Sequence, residues 1–185
     1  MRDRTDTFFA ADLDDGIPQE VGAGYDVVIA GDVIEHLSHP SDFLRQITRI
    51  LRPDGELVLS VPNFAHWYPR VRVVLGVFGY DRRGILDQTH LRFFTRSSLR
   101  RMARGAGFDI LEEVPTGPPF GAVASEGRLT SLARRIDDVL VRARPTLFGY
   151  QFVLRLAPHA GETVHSDHLR VFEGSGGDIP YSAHA

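Results

Sequence analysis

The sequence contains no cysteine, which excludes disulfides, thiolate metal sites and a cysteine nucleophile. It also contains no lysine, so all 21 basic residues are arginine, a pattern typical of a GC-rich genome. No apolar run approaches the roughly 18 residues that a membrane-spanning helix needs. The N-terminal stretch "MRDRTDTFF" lacks the apolar segment of a signal peptide. We therefore expect a cytoplasmic protein with no membrane span.

What is present is typical of a globular domain. The 185 residues are 43% apolar and 24% charged, enough to bury a core. A net charge of −3 gives no general attraction to nucleic acid or to an anionic membrane, and we expect no nucleic-acid partner. We predict one domain over residues 1–158, followed by a polar tail at 159–185.

Apolar runs alternate with helical patterns, which predicts an α/β fold with mostly parallel strands. The predicted strands lie at 7–12, 25–32, 56–63, 108–117 and 150–158. The predicted helices lie at 41–56, 95–108 and 129–143. Between them, residues 63–95 combine aromatics with arginines, and we predict a short helix and loops that cover one end of the sheet. We call this segment the lid.

Three motifs in order carry a family resemblance: "YDVVIAGDVIEHL" (25–37), "ILRPDGELVLSVPN" (50–63) and "THLRFFTRSSLRRMARGAGFDI" (89–110). Together they resemble the class I S-adenosylmethionine-dependent methyltransferases, of the type 11 or type 23 kind, over residues 7–115. The resemblance implies a Rossmann-like doubly wound sheet whose last strand is antiparallel. It also implies S-adenosylmethionine as the cofactor.

One part of the family pattern has no counterpart here. The family places a glycine-rich turn after its first strand, but "GAG" (22–24) precedes a strand and "GSGG" (174–177) lies in the polar tail. The resemblance therefore implies a domain truncated at its N-terminal half, which leaves the strand at 25–32 as an open edge. We expect a homodimer or a partner chain to cover that edge. A non-catalytic fragment or pseudoenzyme subunit is the alternative function.

The resemblance implies a set of cofactor contacts. Asp12 would accept a hydrogen bond from the adenine amino group, and the backbone amide of Leu13 would meet a ring nitrogen. Gly31 and Asp32 follow a buried strand, at the sheet edge where ligands bind in α/β folds. The alternative for Asp12 is that it forms a plain polar turn with its acidic neighbours.

Asp32, Glu35 and His36 stand at positions i, i+3 and i+4, which a helical turn would project to one side. Carboxylates and an imidazole suit Mg²⁺ or Mn²⁺, with Zn²⁺ as a further option. The pattern is similar to that of metal-dependent methyltransferases, which implies His90 as a fourth ligand. Two alternatives stay open: His36 or His90 acts as a metal-free catalytic base, or these residues are structural.

The lid offers flat apolar surface with polar handles, as a small-molecule acceptor requires. The predicted acceptor-binding residues are Asn63, His66, Trp67, Tyr80 and Arg92. The alternative is that the aromatic side chains only pack the lid onto the sheet. The resemblance implies a methyltransferase, and we expect it to act on an oxygen of a small metabolite, sugar or lipid-linked acceptor.

Overall fold

The computed structural model describes residues 7–118 and 128–159, with the side chains of 128–132 excepted. The strands are β1 (Tyr25–Gly31), β2 (Leu51–Pro62), β3 (Phe108–Thr116) and β4 (Gln151–Pro158). The helices are α1 (Pro40–Ile50), α2 (Trp67–Val74), α3 (Arg96–Gly105), α4 (Arg128–Ala143) and α5 (Pro145–Phe148). Beyond its first residue, the predicted tail at 159–185 lies outside the described residues.

The four strands form one sheet in the order β1-β2-β4-β3. β1 pairs with β2 in parallel, whereas β4 is antiparallel to both β2 and β3. The last strand in the chain is thus the antiparallel one, and the predicted Rossmann-like α/β fold is confirmed. No helix among the described residues is long and apolar enough to cross a membrane.

One face of the sheet carries the core. Every second residue of β2 points into it, and Leu57, Leu59 and Val61 are fully buried. Helix α1 covers this face with the buried stripe Phe43, Leu44 and Ile47, as its periodicity predicts. Helix α3 adds Leu99 and Ala103 to the same cluster.

The opposite face is bare along β1. The apolar run of this strand predicts cover on both sides, but Val27 is 53% exposed and Ile29 is 75% exposed. Through the pairing register, Ile29 shares its row with Val58 and Arg155. The prediction of two covered faces is therefore wrong for β1 among the described residues.

The predicted strand at 7–12 is also wrong. The segment forms no strand, and its two aromatic side chains, Phe8 and Phe9, are 55% and 42% exposed. The physical reason is that a short apolar run becomes a strand only where a neighbour completes its hydrogen bonds. β1 is consequently an edge strand of the described sheet.

The boundary between α1 and β2 lies earlier than predicted. The helix ends at Ile50, and β2 begins at Leu51 with a register shift that lets the "RPDG" residues bulge. Gly55 is required there, because a Cβ at this position would lie 2.7 Å from the carbonyl oxygen of Tyr25. The "RPDG" residues therefore belong to an irregular part of β2.

The ends of the lid meet at the sheet. Asn63 forms an isolated bridge with Phe94, and the amide of Phe64 donates to the carbonyl of Phe94 at 2.8 Å. The next residue, Thr95, caps α3 through a reciprocal capping box with Ser98. The lid is therefore anchored at the carboxyl end of β2.

Candidate functional site

An open cleft of about 590 Å³ lies at the carboxyl end of β1. Its walls are the loop after residue 10 and the loop after β1: Ala11, Asp12, Leu13, Asp14, Asp32, Val33, His36 and Leu37. Three of the predicted cofactor-binding residues line this cleft, and the fourth, Gly31, ends β1 beside it. The structure therefore brings the predicted cofactor residues together where α/β folds bind ligands.

Asp14 holds the first wall in place. Its carboxylate accepts hydrogen bonds from the backbone amide of Ser38 at 2.7 Å and from the Ser38 hydroxyl at 3.1 Å. Asp12 accepts only a local bond, from the amide of Asp14 at 3.0 Å. Asp14 is thus the structural member of the acidic turn, and the Asp12 carboxylate faces the cleft.

Asp32 occupies the left-handed region with φ 53°, alone among the described non-glycine residues. Such a conformation costs on the order of 1 kcal/mol and is held by its surroundings. Its Oδ1 accepts hydrogen bonds from the Ser60 hydroxyl at 3.2 Å and from the side-chain amide of Gln151. The carboxylate of Asp32 is thereby fixed across the ends of three strands.

Glu35, His36 and His90 form a compact group. One potential ligand atom from each side chain lies within 4.8 Å of the others. Glu35 is 1% exposed, and neither carboxylate oxygen has a hydrogen-bond partner. Burial, with a smaller contribution from Asp32, raises the pKa of Glu35 from 4.5 to about 7. The predicted metal ligands therefore meet, except Asp32, whose carboxylate is held by Ser60 and Gln151.

Both histidine rings are oriented by backbone carbonyls. His36 Nδ1 lies 3.1 Å from the carbonyl oxygen of Thr89, and His90 Nδ1 lies 3.2 Å from that of Ile85. Because a carbonyl oxygen only accepts, each Nδ1 carries the proton and each Nε2 keeps a lone pair when the ring is neutral. The ring centroids are 4.8 Å apart. Either Nε2 is thus prepared to bind a metal or accept a proton.

The lid backbone closes over this group. The carbonyl of Glu35 accepts from the amides of Leu91 and Arg92 at 2.8 and 2.9 Å. Asp87 accepts from the amide and the hydroxyl of Thr89 at 2.8 and 2.7 Å, and these bonds lower the pKa of Asp87. The segment that brings His90 to Glu35 is therefore itself held by hydrogen bonds.

Two predicted acceptor-binding residues hold the lid. The Asn63 amide donates to the carbonyls of Thr146 and Gly149 at 3.0 and 2.7 Å, and its oxygen accepts from the amide of Ala65 at 3.0 Å. His66 is 5% exposed and caps α2 by accepting from the amide of Tyr68. Burial lowers the pKa of His66 from 6.5 to about 4.

The other three differ in their surroundings. Arg92 donates to the carbonyl of Ser38 at 2.7 Å and thus ties the lid to the loop after β1. Trp67 and Tyr80 are 46% and 59% exposed. Tyr80 stacks on Phe93 at a centroid distance of 6.5 Å. Trp67 and Tyr80 therefore keep part of their apolar surface exposed.

Sequence reasoning missed Asp14, Ser60 and Gln151. Asp14 stands among other aspartates, with no signal to single it out. Ser60 and Gln151 meet Asp32 only because the pairing register places Gly31 beside Ser60 and Pro62 beside Gln151. Contacts of this kind follow from strand order, which a linear motif does not contain.

The fold and the cleft define an α/β protein with an open cleft at the carboxyl end of β1. The model of a family described as a methyltransferase domain matches residues 3–113, and the chain belongs to this family. The resemblance found in the sequence is thereby confirmed.

Relatives with known names agree with this membership. A Mycolicibacterium smegmatis protein, named as a probable S-adenosylmethionine-dependent methyltransferase, is 31% identical over 88 residues, covering 48% of this chain and 30% of the relative. The ubiquinone biosynthesis O-methyltransferase of Rhodopseudomonas palustris is 27% identical over 109 residues, covering 58% of this chain and 42% of the relative. This chain thus matches less than half the length of either relative.

Among solved structures, similarity extends to a chain in a complex between the Haloferax volcanii Trm112 methyltransferase activator and a methyltransferase. The identity is 18% and the TM-score 0.49, with 85% of this chain and 66% of that chain covered.

Proposed function

We propose that this chain is part of an S-adenosylmethionine-dependent methyltransferase that methylates an oxygen of a small metabolite, sugar or lipid-linked acceptor. One observation carries the proposal beyond family membership. His36 lines the cleft that holds the predicted cofactor residues and also belongs to the group with Glu35 and His90. A methyl donor in the cleft would thus lie beside groups able to accept a proton.

The cofactor supplies an electrophilic methyl group when bound. Asp12 and the amide of Leu13 would hold its adenine ring. On the acceptor side, the Nε2 of His36 or His90 would accept the proton of the acceptor hydroxyl. Positioning accounts for much of the rate in such a transfer, and the lid supplies it through the exposed faces of Trp67 and Tyr80.

The donor set of Glu35, His36 and His90 also fits Mg²⁺ or Mn²⁺. The buried Glu35 carboxylate and one ring nitrogen of each histidine lie within 4.8 Å of one another, and carboxylate and imidazole ligands suit such an ion. When bound there, the ion would lower the pKa of the acceptor hydroxyl. The metal-free alternative, with a histidine as the base, uses the same side chains.

Calorimetry with S-adenosylhomocysteine tests the cofactor part. We expect binding to the wild-type chain, about tenfold weaker binding to Asp12→Ala, and unchanged binding to Asp15→Ala in the same loop. The absence of heat at millimolar ligand would contradict cofactor binding by this chain.

Thermal unfolding with Mn²⁺ tests the metal part. We expect Mn²⁺ to raise the melting temperature of the wild type but not of Glu35→Gln, with Glu20→Gln as an exposed carboxylate control. Equal shifts in all three chains would leave the metal-free base as the working mechanism.

A second candidate function rests on the bare face of β1. Ile29 is 75% exposed on an edge strand, a surface that favours association. The chain would then be a non-catalytic methyltransferase-like subunit whose partner, or second copy, covers the edge at 25–32. Light scattering checks the second copy: a dimer that Ile29→Asp dissociates supports it, and a monomeric wild type contradicts it.

The cytoplasm remains the predicted location.

A further inference from the structure

Helix α2 is amphipathic, but its aliphatic side faces outward and its polar side chains face inward. Its inward side consists of the buried Pro69 and the half-buried Tyr68 and Arg72. Its outward side carries aliphatic residues, and Val73 and Val74 are 54% and 84% exposed. A surface helix of a globular protein normally turns its apolar stripe inward. The arrangement therefore presents apolar surface to whatever lies outside the lid.

The inward polar residues are fully engaged, so the helix is fixed in this orientation. Arg72 contacts the carboxylate of Asp81 at 2.8 Å, the hydroxyl of Tyr68 at 2.7 Å and the carbonyl of Gly79 at 3.0 Å. Tyr68 in turn donates to Asp81 at 2.8 Å. Rotating α2 to bury its valines would break this network. The exposure of the valines is thus a built feature of the lid.

The apolar surface continues past the helix end. Leu75, Val77 and Phe78 are 70%, 57% and 52% exposed. The chain turns at Gly76 with φ 68°, and the amide of Val77 donates to the carbonyl of Arg72 at 2.9 Å. Residues 73–78 therefore form a protruding apolar tip. Exposed apolar clusters of this kind mark surfaces of interaction.

The charge around the tip has one sign. Exposed arginines precede it at Arg70 and follow it in the same loop at Arg82 and Arg83. Asp81, the acidic residue between Arg70 and Arg83, is neutralised by its ion pair with Arg72. This local excess of positive charge stands on a chain whose net charge is −3.

We propose that the tip inserts into the interfacial layer of an anionic phospholipid membrane, with the neighbouring arginines on the lipid phosphates. A protruding aliphatic and aromatic tip beside arginines has the chemistry of peripheral membrane anchors. The arginines beside the tip favour an anionic membrane over a protein partner, because basic residues are attracted to anionic lipid headgroups. The inference stands independently of the catalytic proposal, because it concerns binding alone.

Co-sedimentation of the full chain with vesicles tests the inference. The vesicles are phosphatidylcholine alone, or phosphatidylcholine with about one third phosphatidylglycerol. We expect binding to the anionic vesicles, loss of binding in Val74→Asp/Leu75→Asp, and wild-type binding in Val139→Asp. Val139 is the matched control, since it is 65% exposed on α4.

A second set of variants in the same experiment tests the arginines. Arg82→Gln/Arg83→Gln should weaken binding about fivefold for each arginine removed, the factor that about 1 kcal/mol per basic residue gives at an anionic surface. Arg101→Gln/Arg104→Gln, exposed on α3, should bind as the wild type does.

Three results would overturn the inference. The first is a wild type that sediments with neither vesicle. The second is vesicle binding that persists in Val74→Asp/Leu75→Asp, which would assign it to another surface. The third is self-association in solution that this double variant abolishes without any vesicle binding, which would make the tip a protein interface. Thermal unfolding confirms that each variant is folded.

Discussion

Two polar clusters of this protein differ in whether their buried groups have hydrogen-bond partners. In the lid, Arg72, Tyr68 and Asp81 satisfy one another through hydrogen bonds of 2.7 to 2.8 Å. At the end of β1, Glu35 is buried between His36 and His90 with both carboxylate oxygens unpartnered. The first cluster is accounted for by the fold that its hydrogen bonds stabilise. An unsatisfied buried carboxylate costs stability, and we infer that it is kept for something outside the chain.

The largest expected effect concerns Glu35. Its folded-state pKa of about 7 lies above the 4.5 of an ordinary glutamate. The folded protein therefore holds a proton that the unfolded chain releases, and stability falls as pH rises from about 4.5 through 7. Relative to Glu35→Gln, the wild type should lose about 3 kcal/mol of unfolding free energy between pH 4.5 and pH 8. Urea unfolding at both pH values measures it, and parallel pH profiles would contradict it.

His66 should show the opposite trend. Its pKa is lowered from 6.5 to about 4, so the unfolded chain binds a proton that the folded protein does not. Relative to His66→Asn, the wild type should lose about 2.5 kcal/mol as pH falls from 7.5 to 4.5. Urea unfolding at these two pH values measures the loss of unfolding free energy. In the wild type the two trends offset each other, so each single variant should uncover the slope of the other residue.

Asn63 tests the satisfied kind of buried group. Asn63→Ala should lower the free energy of unfolding by about 2 kcal/mol, because it leaves buried carbonyls and an amide without partners. Gln88→Ala, exposed in the lid, is the control. Chemical denaturation that finds Asn63→Ala as stable as Gln88→Ala would show that the lid is not anchored there.

The smallest effect is expected at Asp81. Asp81→Asn removes the ion pair to Arg72 near the surface, and its loss of melting temperature should be smaller than that of Asn63→Ala. The ion pair lowers the pKa of Asp81, so the wild-type advantage should disappear as pH falls through the acidic range. If Asp81→Asn lost as much melting temperature as Asn63→Ala, the cluster of Arg72, Tyr68 and Asp81 would contribute more to the stability of the lid than we infer.

Local signals in the sequence predicted most elements. The helix predicted at 95–108 is confirmed as α3, because helical periodicity depends on neighbours in the chain. The strand predicted at 7–12 is wrong because strand formation depends on a distant partner. The exposure of Ile29 escaped prediction for the same reason, since an apolar run does not reveal whether a second layer covers it.

The candidate site shows the same division between what the sequence predicts and what only the fold reveals. The sequence predicted that Glu35, His36 and His90 belong together, through a family resemblance, and the structure brings them within 4.8 Å. Asp32 was predicted with them, but strand pairing gives its carboxylate to Ser60 and Gln151. The environment of Glu35 is a three-dimensional property, because only the fold shows that its carboxylate is buried beside His36 and His90.

The most direct test of the central contrast is a carbon-13 NMR pH titration of the Glu35 side-chain carboxyl in the full chain, assigned by comparison with Glu35→Gln. The account predicts a midpoint of about 7, the value to which burial raises this pKa. A midpoint near the ordinary 4.5 would contradict it, because it would show that the carboxylate is already solvated or satisfied by the chain.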